Sequence, residues 1–480
     1  MIVSDDARHA ERTRPNDGAT GGGTAEDGTT DDDHTRRLAA WVAELDSEDV
    51  PPSVEDRVGL VVADTLGVMI GGASDDAVAG LREAWRERSD DTGDATVLAA
   101  DSGRASRHRA AFLNATSGTV LELDEGHRFA AGHPAIHVLP ALLAEAETRY
   151  ADREAFLTAF VAGYETAVRV AEAVQPLAEG YHPHGVWGVV GGAAAVSRLR
   201  DYDAATTRTA LAIAANYAQH TRFAAATAGA TVRNSYAGMS NLASLIAADQ
   251  AQAGFSGLDD GIAAHLAPAS AAGVAREHLA ADLGDRWTLS EGYFKTHAAC
   301  RYTHAPLDAL DGIDGEPAAE EVEAVVVETY AAAAKLDDPH PRNALAAKFS
   351  VPFAVATALR TGSTDAETFT NDAVAPETLA LAERVAVRVD EEIDARAPDE
   401  RGARVTVTLA DGTEASAEVR HARGGEADPF EPAELRTKFA SLVAPAIGSE
   451  RTDRLWTAAR DPAPPRVLCA MVRGGEHPER

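Results

Sequence analysis

The chain reads as a mainly α protein: an all-helical domain built from both chain ends, with a smaller α+β module inserted as a lid. Three observations lead there. From His34 to about Leu283, apolar residues recur at three- and four-residue spacing among abundant alanine, as in packed amphipathic helices. After Trp287 the pattern turns to short β-branched runs and a hairpin signal. After about Glu426 helical spacing returns, so the two ends share a character that the middle lacks. The expected boundaries are a disordered tail over 1–33, rich in Gly, Thr and Asp with few apolar groups, then 34–287, 288–425 and 426–480.

The elements follow in order. Ser53 opens a capped helix through DRVGLVVADTLGVMIGG, which Gly71 and Gly72 end. Further helices are expected at about 77–88, 104–121, 134–149, 152–175, 186–199, 203–218, 234–253 and 274–283. Their small residues favour close helix packing. In the module, EVEAVVVETY and RVAVRVD read as strands and NALAAKFSVPFAVATALRTG as one buried helix. ARVTVTLADGTEASAEVRHA is a hairpin turning at Asp411-Gly412. PAELRTKFASLVAPAI and ERTDRLWTAAR return to helix, and a cleft is expected between the two parts.

Composition excludes several functions. Acidic residues outnumber basic ones 76 to 44, a formal charge of -32, which disfavours nucleic acid or an anionic membrane as a partner. Four of the 44 basic residues are lysine (Lys295, Lys335, Lys348 and Lys438), and such a lysine-poor, acid-rich surface fits a protein kept soluble at very high salt. Two cysteines, Cys300 and Cys469, provide neither a disulfide framework nor the ligands of an iron–sulfur cluster. With no apolar run of about eighteen residues and no signal-peptide pattern, a cytoplasmic location is expected. No lysine follows a glycine and GVVGGAAA is not GxGxxG, so nucleotide chemistry is not expected.

Chemistry concentrates in LELDEGHRFAAGHPAIHVLP, Leu121 to Pro140, with three carboxylates (Glu122, Asp124, Glu125) and three histidines (His127, His133, His137). His133-Pro134 reads as a helix start whose free N–H groups attract an anion, and the loop before it is expected to be polar and accessible. YHPHGVWG places His182 and His184 at a second helix mouth. Arg233 opens a long helix, where a guanidinium grips a carboxylate in two parallel hydrogen bonds. EGYFKTHAACRYTHAPLDAL holds Lys295, Cys300 and Arg301; Cys300 reads as an inert buried thiol, and Lys348 is retained in a chain almost emptied of lysine. A zinc or manganese site on His127, His133, His182 and His184 is the competing arrangement.

DTLGVMIGG, LELDEGHRFAAGHP, YHPHGVWG, YAGMSNLASLIAADQAQAGFSG, CRYTHAPLDA and AKFSVPFAVA, in this order, resemble the family of 2-methylcitrate dehydratase, cis-aconitate decarboxylase and iminodisuccinate epimerase, MmgE/PrpD, over about residues 36 to 445. The resemblance implies a homodimer acting on a small di- or tricarboxylate without metal or other cofactor. It implies catalytic roles for His133, His182, Lys295 and Asp124 or Glu122, with Arg233, Tyr236, His184, Cys300 and Arg301 lining the substrate. Arg233 stands where many members have lysine, Tyr236 where some have histidine, and Phe353 where cis-aconitate decarboxylase and several relatives have tyrosine. The expected reaction is loss of water after α-proton removal, as in 2-methylcitrate dehydratase. The alternatives are epimerisation or decarboxylation of a related carboxylate, and carboxylate binding without catalysis.

Overall fold

The computed structural model describes residues 31–88, 93–101, 103–315 and 317–474. The expected tail lies outside them up to residue 30, but residues 31–33 already belong to the first helix, α1 (Asp31–Glu44). The helices α2 (Pro52–Gly72), α3 (Asp76–Glu87), α4 (Arg107–Val120), α5 (Pro134–Arg149), α6 (Arg153–Ala173), α7 (Gly188–Leu199), α8 (Ala204–Asn216) and α9 (Tyr236–Gln252) follow the expected periodicity. Two expectations fail. Pro51 rather than Ser53 caps α2, with Pro52 in the first turn where its missing N–H is no loss. Residues 274–283 form no α-helix, only a 3₁₀ turn at Arg276–Ala280 between Gly273 (φ 87) and Asp282 (φ 48), whose left-handed backbones stop a helix at either end.

Alanine and glycine let these helices approach closely. A Cβ on Gly191 of α7 would lie 2.5 Å from the Ala167 Cβ and 2.7 Å from the Gly163 carbonyl of α6, so the two backbones touch. Trp187, Phe156, Phe160 and Tyr164 belong to the same apolar core and are fully buried. Each such side chain contributes about 2–3 kcal/mol of burial energy.

The α+β module carries a four-stranded sheet of β1 (Val322–Thr329), β2 (Val385–Val389), β3 (Ala403–Leu409) and β4 (Glu414–Val419), in the order β2-β1-β3-β4. β1 runs parallel to β2 and antiparallel to β3, and β3 and β4 form the hairpin with Gly412 at φ 83. Val325, Val327, Val405 and Val407 share one core with Leu307 and Leu310 of α10 (Arg301–Asp311) and with Phe353 and Val355 of α11 (Val351–Thr361). The single helix expected over 343–362 is broken. Pro352 has no N–H for the Lys348 carbonyl, which instead accepts from the Cys300 N–H at 2.8 Å, and Ser350 caps a fresh helix. That break leaves Lys348 at a bend facing the other half of the molecule.

After the module come α12 (Pro432–Ile447), α13 (Ser449–Arg460) and α14 (Pro465–Arg473), the last helices among the described residues. Leu435, Phe439, Leu455, Trp456 and Leu468 belong to the same apolar core as α2, α5 and α6. The module meets the helices through a two-residue antiparallel pairing of Gly126–His127 with Gly292–Tyr293. Among the described residues, no single helix is long and apolar enough to cross a membrane.

Candidate active site

The site is built on the C-terminal end of α4. The last carbonyls of a helix lack intrahelical partners and carry the negative end of its dipole, so they attract cations. Arg233 Nη1 donates to the Thr119 carbonyl at 3.2 Å and Lys348 Nζ to that of Val120 at 2.7 Å. Beyond Val120 the chain turns sharply through Glu122, a non-glycine residue at φ 53, in the left-handed region. Lys295 Nζ donates to the Glu122 carbonyl at 2.9 Å, Lys438 Nζ to that of Leu123 at 2.7 Å, and His133 Nδ1 to that of Glu125 at 2.7 Å. Five carbonyls in seven residues are thus taken by side chains from five separate segments.

The turn's carboxylates face the same groups. Arg233 forms an ion pair with Glu122, and Lys295 Nζ lies 3.3 Å from Glu122 Oε2 and 3.8 Å from Asp124 Oδ1. Burial alone would raise the Glu122 carboxyl, but Arg233 and Lys295 overcome it and hold the group at about 2. The loop is therefore not the accessible one expected: Glu122, Asp124 and Glu125 are each 1% exposed.

Four imidazoles adjoin them. His184 is the hub, its ring centroid 4.7 Å from His133, 5.0 Å from His182 and 5.1 Å from His137. A carbonyl only accepts, so the Glu125 contact puts the neutral His133 proton on Nδ1 and leaves Nε2 with its lone pair. Asp124 Oδ2 is 3.3 Å from the same Nδ1. His182 is the opposite tautomer: its Nδ1 accepts the His184 backbone N–H at 3.1 Å, so the proton is on Nε2. Thr221 Oγ1 secures that loop by donating to the carbonyls of His182 and His184, and His182 stacks on Phe223 with centroids 5.5 Å apart. Burial lowers His133, with Asp124 opposing the shift, and puts His182 and His184 well below the usual range, so all three are neutral bases at pH 7.

Both ring nitrogens of His184 and both carboxylate oxygens of Asp124 are buried without a hydrogen-bond partner. Each such group costs about 1–3 kcal/mol, a cost that folds tolerate where a ligand supplies the missing partner. Asp124, His133 and His184 also offer ligand atoms within 4.8 Å of one another, as a metal site would. The charges oppose that use: Lys295 faces Asp124 and the Arg233 charge adds to the field on both histidines, a surrounding that suits an anion.

Other expected residues divide. Tyr236 lies edge-on to His182, 5.9 Å between centroids. Cys300 caps α10 and feels the charges of Glu122, Lys295 and Arg233, but burial pushes its thiol up to about 11, too high for a nucleophile. Arg301 does not join the site. It donates at 2.7 Å to the carbonyls of Ala422 and Arg423, lies over the Tyr293 ring, and faces a separate cleft of about 390 Å³ with Arg128, Arg401 and His421. As the residue after the cap, it leaves α10 on a different side from Cys300. His127 is also apart from the imidazole group, with Nε2 3.0 Å from the Thr288 carbonyl and its ring against Phe129 and Tyr164, so the four-histidine metal set does not assemble. Phe353 is fully buried and brings no proton.

Sequence reasoning named two buried groups beneath the turn without giving either a role. Lys438 pairs with Asp64 of α2 at 2.6 Å. Glu125 accepts from the Tyr164 hydroxyl at 2.5 Å and the Ala135 N–H at 3.2 Å, yet burial pushes it up to about 8. The scarcity of lysine was the one signal pointing to Lys438.

A helical body joined to an α+β module, with acid–base groups gathered where they meet, defines a class of two-part proteins with a buried imidazole–carboxylate site. The chain belongs to the MmgE/PrpD family: residues 36–282 match the MmgE/PrpD N-terminal domain and 297–461 the C-terminal domain. His133, His182 and Arg233 lie in the first match, Cys300, Lys348 and Lys438 in the second, and Lys295 between them. The chain is similar to the cis-aconitate decarboxylase-like protein oryM of Aspergillus oryzae, 28% identical over 313 residues, 60% of this chain and 63% of that one. It is also similar to cis-aconitate decarboxylase of Aspergillus terreus, 24% identical over 320 residues, 58% of this chain and 60% of the relative. Both matches span less than two thirds of the relative's length.

Proposed function

We propose that the chain is a lyase that removes water from a small hydroxylated di- or tricarboxylate of the 2-methylcitrate kind. The observation that carries this reading is the pair of complementary tautomers. His133 offers a lone pair on Nε2 and His182 an N–H on Nε2, and among the described residues neither nitrogen has a protein partner. In the reaction His133 Nε2 takes the proton α to a carboxylate, and Asp124, near Nδ1, stabilises the imidazolium that forms. Charge building on the substrate carboxylate is met by Lys295 and by Arg233, whose Nε is buried and unpaired. The C–H and C–O bonds break, a C=C bond forms, the hydroxide leaves toward the His182 N–H and takes up a proton from solvent to become water, and the His133 imidazolium returns its proton to solvent. Nothing in this scheme uses a metal or cofactor.

The test is formation of an unsaturated product, read by ultraviolet absorbance, from 2-methylcitrate, citrate and related hydroxy acids in molar salt. His133→Ala and His182→Ala should each lower turnover by 100-fold or more; unchanged turnover in both would end the proposal. Decarboxylation is the second reading, favoured by the names of the two Aspergillus relatives. Release of CO₂ from cis-aconitate without loss of water would select it. Epimerisation would show as solvent deuterium incorporation with the hydroxyl retained. Metal analysis of the active protein tests the Asp124–His133–His184 alternative, and stoichiometric zinc or manganese would establish it.

The expected homodimer has a face available. Between Phe223 and Leu258 the charged residues are Arg233 and Asp249, in a chain that is 25% charged overall. Arg233 is buried, and Asp249 is paired with Arg107 and Arg200. Val232, Met239, Ile246, Phe255 and Leu258 are exposed along this stretch. Two copies carrying -32 each repel wherever acids meet acids, and the uncharged face of α9 is where they come together at least cost. Light scattering should give twice the 50.2 kDa chain mass, and Ile246→Asp should give a monomer. A monomeric wild type, or a dimer that survives Ile246→Asp with Met239→Asp, would exclude this face.

A further inference from the structure

Of the four lysines in the chain, three end on one turn. Lys348 comes from the bend before α11, Lys295 from the irregular segment between the Gly292–Tyr293 pairing and α10, and Lys438 from α12; they donate to the carbonyls of Val120, Glu122 and Leu123 at 2.7, 2.9 and 2.7 Å. Lys335, the fourth, is exposed. The turn they hold contains the left-handed Glu122 and places Glu122 and Asp124 against Lys295, Arg233 and His133. A left-handed non-glycine residue costs about 1 kcal/mol or more and persists only when its surroundings overdetermine it. Here the surroundings are ammonium groups from the two later parts of the chain. Lys348 is buried with the Val120 carbonyl as its hydrogen-bond partner, and Lys438 is anchored from behind by Asp64.

We propose that Lys348 and Lys438 are positioning residues: they clamp the carbonyls on either side of Glu122, so that the Glu122–Asp124 carboxylates reach catalytic geometry only when the module and the C-terminal helices are both docked. The effect on catalysis rests on the lyase reading above; the effect on the turn does not. Neither ammonium group touches the imidazoles. Each acts through the backbone, and a displacement of about 1 Å at a reacting group lowers rates by about 100-fold.

The experiment uses the full chain in molar salt with Lys348→Met, Lys348→Arg, Lys438→Met, the double variant Lys438→Met/Asp64→Asn, and Lys335→Met as control. Hydrogen–deuterium exchange of amides 119–126 reads the turn without any substrate. Exchange there should rise at least tenfold in both single Met variants, with α6 and α7 unchanged, and by less in Lys348→Arg, which keeps the charge but not the compact ammonium. If turnover is established, kcat should drop 10- to 100-fold in the Met variants with KM within about threefold. Lys335→Met should match wild type in both readings. The double variant removes the acid that Lys438→Met would leave unpaired, so a loosened turn in that folded protein still supports the clamp. Unchanged exchange at 119–126 in folded Lys348→Met and in the double variant overturns it, whatever the turnover. A rise in KM alone would also overturn it, since the lysines would then be binding substrate rather than holding the turn.

Discussion

Replacing Glu125 by glutamine isolates a single titration in the middle of the molecule. Glu125 is 1% exposed, packed beneath the first turn of α5, and burial pushes its carboxyl from 4.5 up to about 8 despite the Tyr164 and Ala135 hydrogen bonds and the nearby Arg57 charge. A group whose folded value is raised gives stability that is present below its unfolded value and is lost as pH climbs toward the folded one. Wild type should therefore lose stability between pH 4.5 and about 8 through this residue, at about 1.4 kcal/mol per pH unit, on the order of 5 kcal/mol across the window. Glutamine keeps the shape and cannot ionise. Losing one of the two hydrogen bonds costs the variant roughly 1–2 kcal/mol at every pH, an offset that leaves the slope untouched. The assay is urea denaturation of both proteins from pH 5 to pH 8 at constant molar salt. The stability of Glu125→Gln relative to wild type should rise by about 4 kcal/mol from the acid to the alkaline end. Parallel curves would refute the reasoning, because they would mean that Glu125 is already ionised or not buried in solution.

Other consequences are separable. Lowering salt from molar to about 0.1 M lengthens the Debye screening distance from about 3 to 10 Å and should lower the melting temperature of a chain carrying -32, and a melting point independent of salt would remove the high-salt reading. Cys300, with its thiol pushed up to about 11, should resist iodoacetamide at pH 8 in the folded protein and react once unfolded; rapid labelling of the native form would show that the pocket is open and the thiol ionised. Gly59→Ala would put a Cβ 1.9 Å from the Arg460 carbonyl and should cost about 2–4 kcal/mol by forcing α13 off α2, measurable as a lower denaturation midpoint; a neutral result would mean that α13 does not pack there.

Local rules read much of the fold in advance. Pro134 and Pro432 open helices because a first-turn proline gives up no bond, and Asp411-Gly412 turns the hairpin because glycine takes the left-handed backbone freely. The same rules fail where a side chain's partner is far away in sequence. Nothing near Glu122 says that it turns left-handed, since what holds it arrives from 173 residues on in Lys295; Val120 and Leu123 are held by lysines 228 and 315 residues away. Nor does spacing tell Arg301 from Cys300, neighbours at a helix start that leave it on different sides. Composition recovered part of what periodicity could not. In a chain with forty arginines, three of the four lysines end on this one turn. A compact ammonium on a flexible stem reaches a backbone carbonyl in a narrow buried space, whereas a planar fork needs room and several acceptors. Arg233, the fork among these cations, accordingly meets a carboxylate and a carbonyl together, while Lys348 ends on one oxygen. Lys295 and Lys438 each reach one carbonyl and one carboxylate from a single ammonium, so the rarest basic residue in the sequence marks the turn on which the site is built.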